Sequence, residues 1–205
     1  MPSLTLYGLP ASGHTHRIEL FLSLLGLDHA YVEAPAEVRA GPEFRALNPL
    51  GQIPVLRDGE VVLADSNAIL VYLAKRYDAG GTWLPETPEA AARVQRWLSI
   101  AAGEVMHGPA TARVIALFKV PDDPRRAQTI AARLLAFMEA HLADRAWLAA
   151  ETPTIADIAC YSYVAHAPEG GVDLAPYPQV QAWLARVEAL PRFKAMIRSA
   201  LPDAA

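Results

Sequence analysis

The chain has 205 residues, with 18 Lys and Arg against 22 Asp and Glu, for a formal net charge of −4. Its 53% hydrophobic and 20% charged content excludes a disordered chain, and the slight acidity excludes a general electrostatic footprint for nucleic acid or an anionic membrane. The single cysteine, Cys160, excludes a disulfide scaffold.

Met1-Pro2-Ser3-Leu4 shows no basic segment ahead of an apolar one. No apolar run approaches the roughly 20 residues that span a bilayer, so a cytoplasmic globular protein with neither nucleic-acid nor membrane partner is expected.

Ser3–Gly8 reads as a short strand, Leu9–Gly13 as a turn, and Thr15–Leu25 as an amphipathic helix with Ile18, Leu22 and Leu25 at helical spacing, stopped by Gly26. His29–Glu33 is a second strand, after which Pro35 and Gly41-Pro42 mark an irregular loop. Ile53–Leu56 and Val61–Leu63 are strands joined across Asp58-Gly59, a hairpin signal. Asp65-Ser66 then opens a helix carrying Ile69, Leu70, Tyr72, Leu73 and Tyr77. The order is β-α-β-loop-β-β-α, with the first two strands parallel across their helical crossover and the last two antiparallel.

Beyond residue 80 only helical patterns follow, at about 88–118, 124–143, 154–167, 177–188 and 191–199, broken by Pro121–Pro124, Gly170-Gly171, Pro176, Pro178 and Pro191. The expected division is an α/β domain over 1–80, a linker over 81–88 and an all-α domain over 89–205.

Three segments carry candidate chemistry. In Asn48-Pro-Leu-Gly-Gln52-Ile53-Pro54-Val-Leu56, Pro54 stands ahead of a strand although it has no N–H for a ladder. An edge-strand proline is the plain explanation. A cis Ile53–Pro54 bond, turning the N–H and C=O of Ile53 toward a ligand, is the sharper one. In Ala64-Asp65-Ser66-Asn67, Asp65 or Ser66 can simply cap the helix. The same helix end also suits a ligand carboxylate, with an Asp beside it for an ammonium group; together these fit an α-amino acid head, such as the γ-glutamyl end of glutathione. In Tyr7-Gly-Leu-Pro-Ala-Ser12-Gly-His14-Thr15-His-Arg17, Ser12 or Thr15 can be a cap, or Ser12 can donate its O–H to a thiolate. Lowering a thiol pKa from about 8.5 to about 6.5 takes roughly 2.7 kcal/mol. A hydrogen bond to a charged acceptor supplies about 1.5–3 kcal/mol and a helix terminus about 0.3–1, so one hydroxyl and one helix end suffice.

These segments, with Thr154-Ile-Ala-Asp157 as a capping box inside the helical half, make the chain resemble the cytosolic glutathione S-transferase superfamily over nearly its whole length. It looks like a bacterial, serine-type member, phi- or nu-like. The resemblance implies a thioredoxin-like N-terminal domain (β-α-β-α-β-β-α) that binds glutathione, followed by an all-helical domain lining an electrophile pocket. It implies that Ser12 activates the glutathione thiol, with His14 or Thr15 as alternatives. Gln52, Ile53 and Pro54 would hold the cysteinyl part, Asp65 and Ser66 the γ-glutamyl end, and Arg39 the glycyl carboxylate. Leu9, Pro10, Met106, Ala110 and Arg113 would face the electrophile, although a salt-bridged helix arginine is the plainer reading of Arg113. Glu104 would reach across a homodimer interface, or is a surface carboxylate. Asp65 departs from the more familiar Glu at its position.

Glutathione is thus the expected co-substrate and a hydrophobic or electrophilic small molecule its partner in the reaction. No metal is expected: His14 and His16 lie two residues apart and point to different sides of a helix. Cys160 in its apolar helix reads as an inert thiol. Two rival functions share every motif, namely a glutathione-dependent disulfide-bond oxidoreductase and a non-catalytic glutathione-binding protein.

Overall fold

The computed structural model describes residues 4–199; Met1 to Ser3, including the expected first residue of the first strand, lie outside them. The first unit comprises β1 (Leu4–Gly8), α1 (Gly13–Leu25), β2 (His29–Glu33), α2 (Ala36–Ala40), α3 (Pro42–Leu47), β3 (Val55–Asp58), β4 (Val61–Ala64) and α4 (Ser66–Tyr77). The strands lie in the order β2-β1-β3-β4. β1 is parallel to β2 and antiparallel to β3, and β3 pairs antiparallel with β4, as the crossover and the Asp58-Gly59 turn require.

Alternation along the strands sends neighbouring side chains to opposite faces. Leu6 and Leu56 join the main core with Ile18, Phe21 and Leu22 of α1 and Ile69, Leu70 and Leu73 of α4. On the other face Val55 and Tyr7 meet Phe44 of α3. The stretch expected as an irregular loop therefore contains two short helices. Its prolines interrupt the periodicity, but Pro42 sits in the first turn of α3, where its missing N–H costs nothing, and Phe44 anchors the segment. The observed order is β-α-β-α-α-β-β-α, the thioredoxin-like arrangement with two short helices where a single one was expected.

The helical unit comprises α5 (Pro88–Ile100), a π-helical segment Ala101–Ala110, α6 (Thr111–Phe118), α7 (Arg125–His141), α8 (Ile155–Ala165), a 3-10 turn Ala167–Gly170 and α9 (Pro178–Glu188). The first three run on from one another, as the 88–118 pattern predicts, but the middle departs from α geometry around Pro109, which cannot donate an N–H. A Cβ at Gly108 would lie 2.9 Å from the Ala131 nitrogen, so the absence of a side chain lets α7 cross there. α8 is buried from Ile155 to Val164, its polar Asp157 and Ser162 included. Thr154 and Asp157 cap it reciprocally, and Asp157 Oδ1 also accepts the Leu148 N–H and the Trp183 indole N–H at 3.0 and 2.9 Å.

The helix expected at 191–199 is absent. Arg192 adopts a φ of 64°, and the carbonyls of this segment are taken by α1. The Ser23 hydroxyl donates to Arg192 O at 2.7 Å, and His16 Nε2 donates to Lys194 O at 2.8 Å. Tertiary bonds replace the helical ones that the local pattern favours.

Candidate active site

The strand register brings the three candidate segments to one edge of the sheet. Tyr7 near the end of β1 pairs with Val55 at the start of β3, and Val55 pairs with Ala64 at the end of β4. The Leu9–Ser12 turn, Ile53-Pro54 and Asp65-Ser66 all extend from that corner.

Ser12 is the N-cap of α1: its Oγ accepts the Thr15 N–H at 3.2 Å, and its own N–H donates to Leu9 O at 3.0 Å. A hydroxyl that accepts one bond keeps its proton for another, and the Ser12 hydroxyl sits at the positive end of a helix. The two alternatives are differently engaged. Thr15 is fully buried beneath β1, where its Oγ1 accepts the Leu9 N–H at 3.3 Å; a Cβ on Gly8 would sit 2.2 Å from its methyl group. His14 places Nδ1 3.2 Å from Ser66 Oγ and Nε2 3.4 Å from Met106 Sδ. Burial, reinforced by the nearby Arg17 charge, pushes His14 down to about 3, so its ring is neutral at pH 7.

His16 faces the other way, toward Ser162 Oγ at 2.9 Å and Lys194 O, and burial lowers it to about 4. An unfolded histidine protonates near 6.5, whereas these two stay neutral in the folded protein well below that. The stability they contribute is complete above pH 6.5 and is lost as pH falls toward 4 and below. Thermal melts from pH 7 to pH 4 are expected to show that decline, and His16→Gln is expected to flatten it; an unchanged slope would mean that His16 does not carry it.

At the start of α4, Asp65 holds φ 73° and ψ 121°, a region that costs a non-glycine residue about 1–3 kcal/mol. Its Oδ1 accepts the Asn67 and Ala68 N–H groups at 2.9 and 3.0 Å. The cap reading of Asp65 therefore holds, and two N–H groups that a ligand carboxylate would use are already taken. Ser66, 4% exposed, receives the Arg17 Nη1–H at 2.7 Å.

Ile53–Pro54 is cis. Ile53 precedes the β3 ladder, and neither its N–H nor its C=O bonds to backbone among the described residues. Asn48 organises the turn before it. Asn48 Nδ2 donates to Gln52 O at 2.9 Å, and its Oδ1 accepts the Leu50 N–H at 3.1 Å. Gly51, at φ 65°, supplies the left-handed position that the turn needs. The Gln52 side chain is exposed. Arg39 in α2 is half-buried, and its Nε has no partner among the described residues.

The electrophile residues divide. Leu9, Pro10 and Met106 are accessible beside the Ser12 turn, whereas Ala110 and Arg113 are each 1% exposed. Arg113 is no pocket cation: its Nε donates to Glu169 Oε2 at 2.6 Å and its Nη1 to Ala11 O at 2.8 Å. Glu169 Oε1 is held by His166 Nδ1 at 2.6 Å and the Ser199 N–H at 3.0 Å. Burial raises the Glu169 carboxyl, but these bonds outweigh it and leave the group below its ordinary value. The pair therefore ties the helical unit to the peptide carbonyl immediately before Ser12. Glu104 is elsewhere, lining a groove of about 550 Å³ with His107, Thr111, Arg126, Ile130 and Arg133, among others. Cys160 is fully buried, and burial pushes its thiol up to about 12, so it takes no part.

Sequence reading missed the partners of Arg113 and assigned no role to Arg17. Glu169 stands 56 residues from Arg113, in a turn with no periodic signal. Arg17 was legible only as one more charge in the polar opening of α1, His14-Thr-His-Arg-Ile-Glu19.

The glutathione S-transferase N-terminal domain family model matches residues 6–83, and the glutathione S-transferase C-terminal domain model matches residues 109–191. Glutathione S-transferase 3 of Zea mays is 34% identical over 98% of this chain and 96% of its own. The disulfide-bond oxidoreductase YfcG of Escherichia coli K12 is 33% identical over 92% of each chain. Among solved structures, a glutathione S-transferase from Pseudomonas fluorescens Pf-5 superposes with a TM-score of 0.87 at 35% identity, covering 95% of this chain and 98% of that one. A glutathione transferase homologue of Drosophila mojavensis with bound glutathione gives 0.84 at 28% identity, over 93% and 90%.

Proposed function

The chain belongs to the glutathione S-transferase family and is a glutathione transferase, and from that premise we propose which residues do the work. The Ser12 O–H donates to the sulfur of bound glutathione and, with the α1 terminus behind it, holds that sulfur as thiolate for attack on a soft electrophile approaching past Leu9, Pro10 and Met106. The protein contributes ionisation and placement of the nucleophile. The observation that carries this reading is the Ser12 hydroxyl itself: it uses its oxygen to cap α1, keeps its proton, and stands at the corner where the three segments converge, while Thr15 is taken by the Leu9 N–H and both His14 ring nitrogens face Ser66 and Met106.

In the same reading, the Ile53 N–H and C=O pair with the cysteinyl backbone, Gln52 lies alongside, and Arg39 takes the glycyl carboxylate. The γ-glutamyl head meets Ser66 through its carboxylate and the remaining Asp65 oxygen through its ammonium group. Asp65→Asn keeps an N-cap residue but removes the charge, and Ser66→Ala removes the hydroxyl. Each forfeits a charge-assisted bond of about 1.5–3 kcal/mol, so calorimetry is expected to show the glutathione Kd rising about ten- to hundredfold in each variant. Wild-type affinity in both would remove this anchor. The proposal extends to the homodimer and cytoplasmic location usual in the family, with Glu104 reaching toward the partner's bound amine.

The likeness to YfcG supports a second activity on the same site: the bound thiolate attacks a disulfide, forming a mixed disulfide and releasing the other sulfur as thiolate. Faster turnover of a small disulfide than of an aryl halide would make this the principal reaction.

A further inference from the structure

Arg17, Ser66, His14 and Met106 form one chain of contacts that ends beside the Ser12 turn. Arg17 Nη1 donates to Ser66 Oγ at 2.7 Å, Ser66 Oγ lies 3.2 Å from His14 Nδ1, and His14 Nε2 lies 3.4 Å from Met106 Sδ. The His14 ring packs T-shaped against Tyr163, with centroids 5.0 Å apart and planes at 73°, which holds its two nitrogens toward these partners. Burial keeps the imidazole neutral at pH 7, so it carries one N–H and one bare lone pair.

Donor and acceptor capacities place the protons of this chain. Arg17 only donates, and the Met106 thioether only accepts. Without ligand, every proton is used when the Ser66 O–H donates to His14 Nδ1 and the His14 Nε2–H donates to Met106 Sδ. A ligand carboxylate at Ser66 takes the one O–H proton. A lone pair of Ser66 Oγ then faces His14 Nδ1, and that contact is favourable only with the ring proton on Nδ1. Nε2 becomes a bare lone pair opposite a thioether that has no proton to give. Met106 is 37% exposed and its side chain is flexible, so it can turn aside and leave that lone pair to the occupant of the electrophile site. We propose that His14 is a tautomer relay: glutathione on Ser66 turns Nε2 from a donor into an acceptor, which selects a second substrate carrying an O–H or N–H beside its reacting carbon. This rests on Ser66 being the glutamyl anchor, and it adds the class of electrophile admitted next to that anchor. His14 determines specificity here and takes no proton from the substrate. With a cyclic enone that bears a hydroxyl at C4, the glutathione sulfur bonds to C3 and the alkene electron pair moves onto the ketone oxygen as enolate. Water then protonates C2, while the C4 hydroxyl stays intact and donates to Nε2.

Two readouts test this. With nitrogen-15-labelled histidine, NMR of the free protein is expected to show His14 protonated at Nε2, and saturating glutathione is expected to move that proton to Nδ1. The signal missing from His14→Phe, or shifted in Met106→Leu, identifies the residue. In turnover, 4-hydroxycyclohex-2-enone is compared with its 4-methoxy ether, which keeps the oxygen and lacks the donor, each rate divided by that of the uncatalysed reaction with glutathione. The wild type and Met106→Leu are expected to favour the hydroxyl compound about fivefold, the scale of one neutral hydrogen bond, and His14→Phe is expected to show a ratio near one. A ratio near one in the wild type overturns the proposal. So does a ratio that His14→Phe keeps, as it would if the ring were merely structural, or one that Met106→Leu abolishes, which would place the selection on the thioether. A His14 proton that does not move on saturation, beside a weakened Ser66→Ala, overturns the proposal alone. Wild-type glutathione affinity in Ser66→Ala overturns the anchor and the proposal with it. Should His14→Phe fail to fold, the tautomer and the ratio in the wild type still decide.

Discussion

Ser12→Ala is expected to raise the pKa of protein-bound glutathione by about one to two units, the equivalent of losing a hydrogen bond to a charged acceptor worth about 1.5–3 kcal/mol. Turnover near pH 6.5 then falls roughly five- to fiftyfold, because the thiolate fraction falls from about one half to about one tenth or one hundredth. The dissociation constant changes little, since Ile53, Asp65 and Ser66 are untouched. The pKa does not return fully to the free value, because the α1 terminus still contributes about 0.3–1 kcal/mol.

Ser12 also caps α1 through the Thr15 N–H, so Ala costs about 0.5–2 kcal/mol of stability, whereas Gly costs only a few tenths. The two effects separate on that basis. Ser12→Ala and Ser12→Gly should show the same raised thiol pKa and different melting temperatures. A bound thiol that titrates as in wild type in both variants would reduce Ser12 to a cap.

Glu169→Gln is the change with the largest expected cost to folding. It leaves the Arg113 guanidinium buried without its counter-ion, and breaking such a pair costs about 3–5 kcal/mol. At about 2–4 °C per kcal/mol for a chain of this size, the melting temperature falls by roughly 6–20 °C. Arg113 also holds Ala11 O, and the Ser12 N–H is held by Leu9 O, so the peptide between Ala11 and Ser12 is fixed at both ends. The double variant Arg113→Met with Glu169→Leu removes both charges together. It should recover much of the stability that the single change loses, yet without the tie to Ala11 O its bound thiol pKa should remain above wild type. Thermal denaturation and thiolate absorbance on the same samples read the two effects. A double variant as unstable as Glu169→Gln, or one with a wild-type thiol pKa, would contradict this account.

What the sequence made legible is local chemistry. Pro54 ahead of a strand, the Asp65-Ser66 helix start and the Thr154-x-x-Asp157 box each combine a residue type with a backbone need, and such needs are written in adjacent residues. Thr154 and Asp157 meet as a capping box, and Asp65 does cap α4. Long-range pairing is not written that way. Arg113 in an apolar helix face looks the same whether it lines a pocket or meets a carboxylate, and only the fold brings Glu169 to it. The 191–199 segment has helical spacing, but Ser23 and His16, far off in the chain, claim its carbonyls. Asp65 shows a subtler limit: one carboxylate oxygen takes both N–H groups that close the helix while the other takes neither, a division that spacing does not reveal.

The central claim is that the protein lowers the pKa of the glutathione thiol through Ser12, and ultraviolet thiolate absorbance of bound glutathione, titrated from acid to alkaline pH on the wild type and Ser12→Ala, tests it most directly. The account predicts a thiolate signal rising about two units below the free thiol's value near 8.5, and moving back up in the variant. Saturable binding with a thiol that titrates as it does free in solution would contradict it.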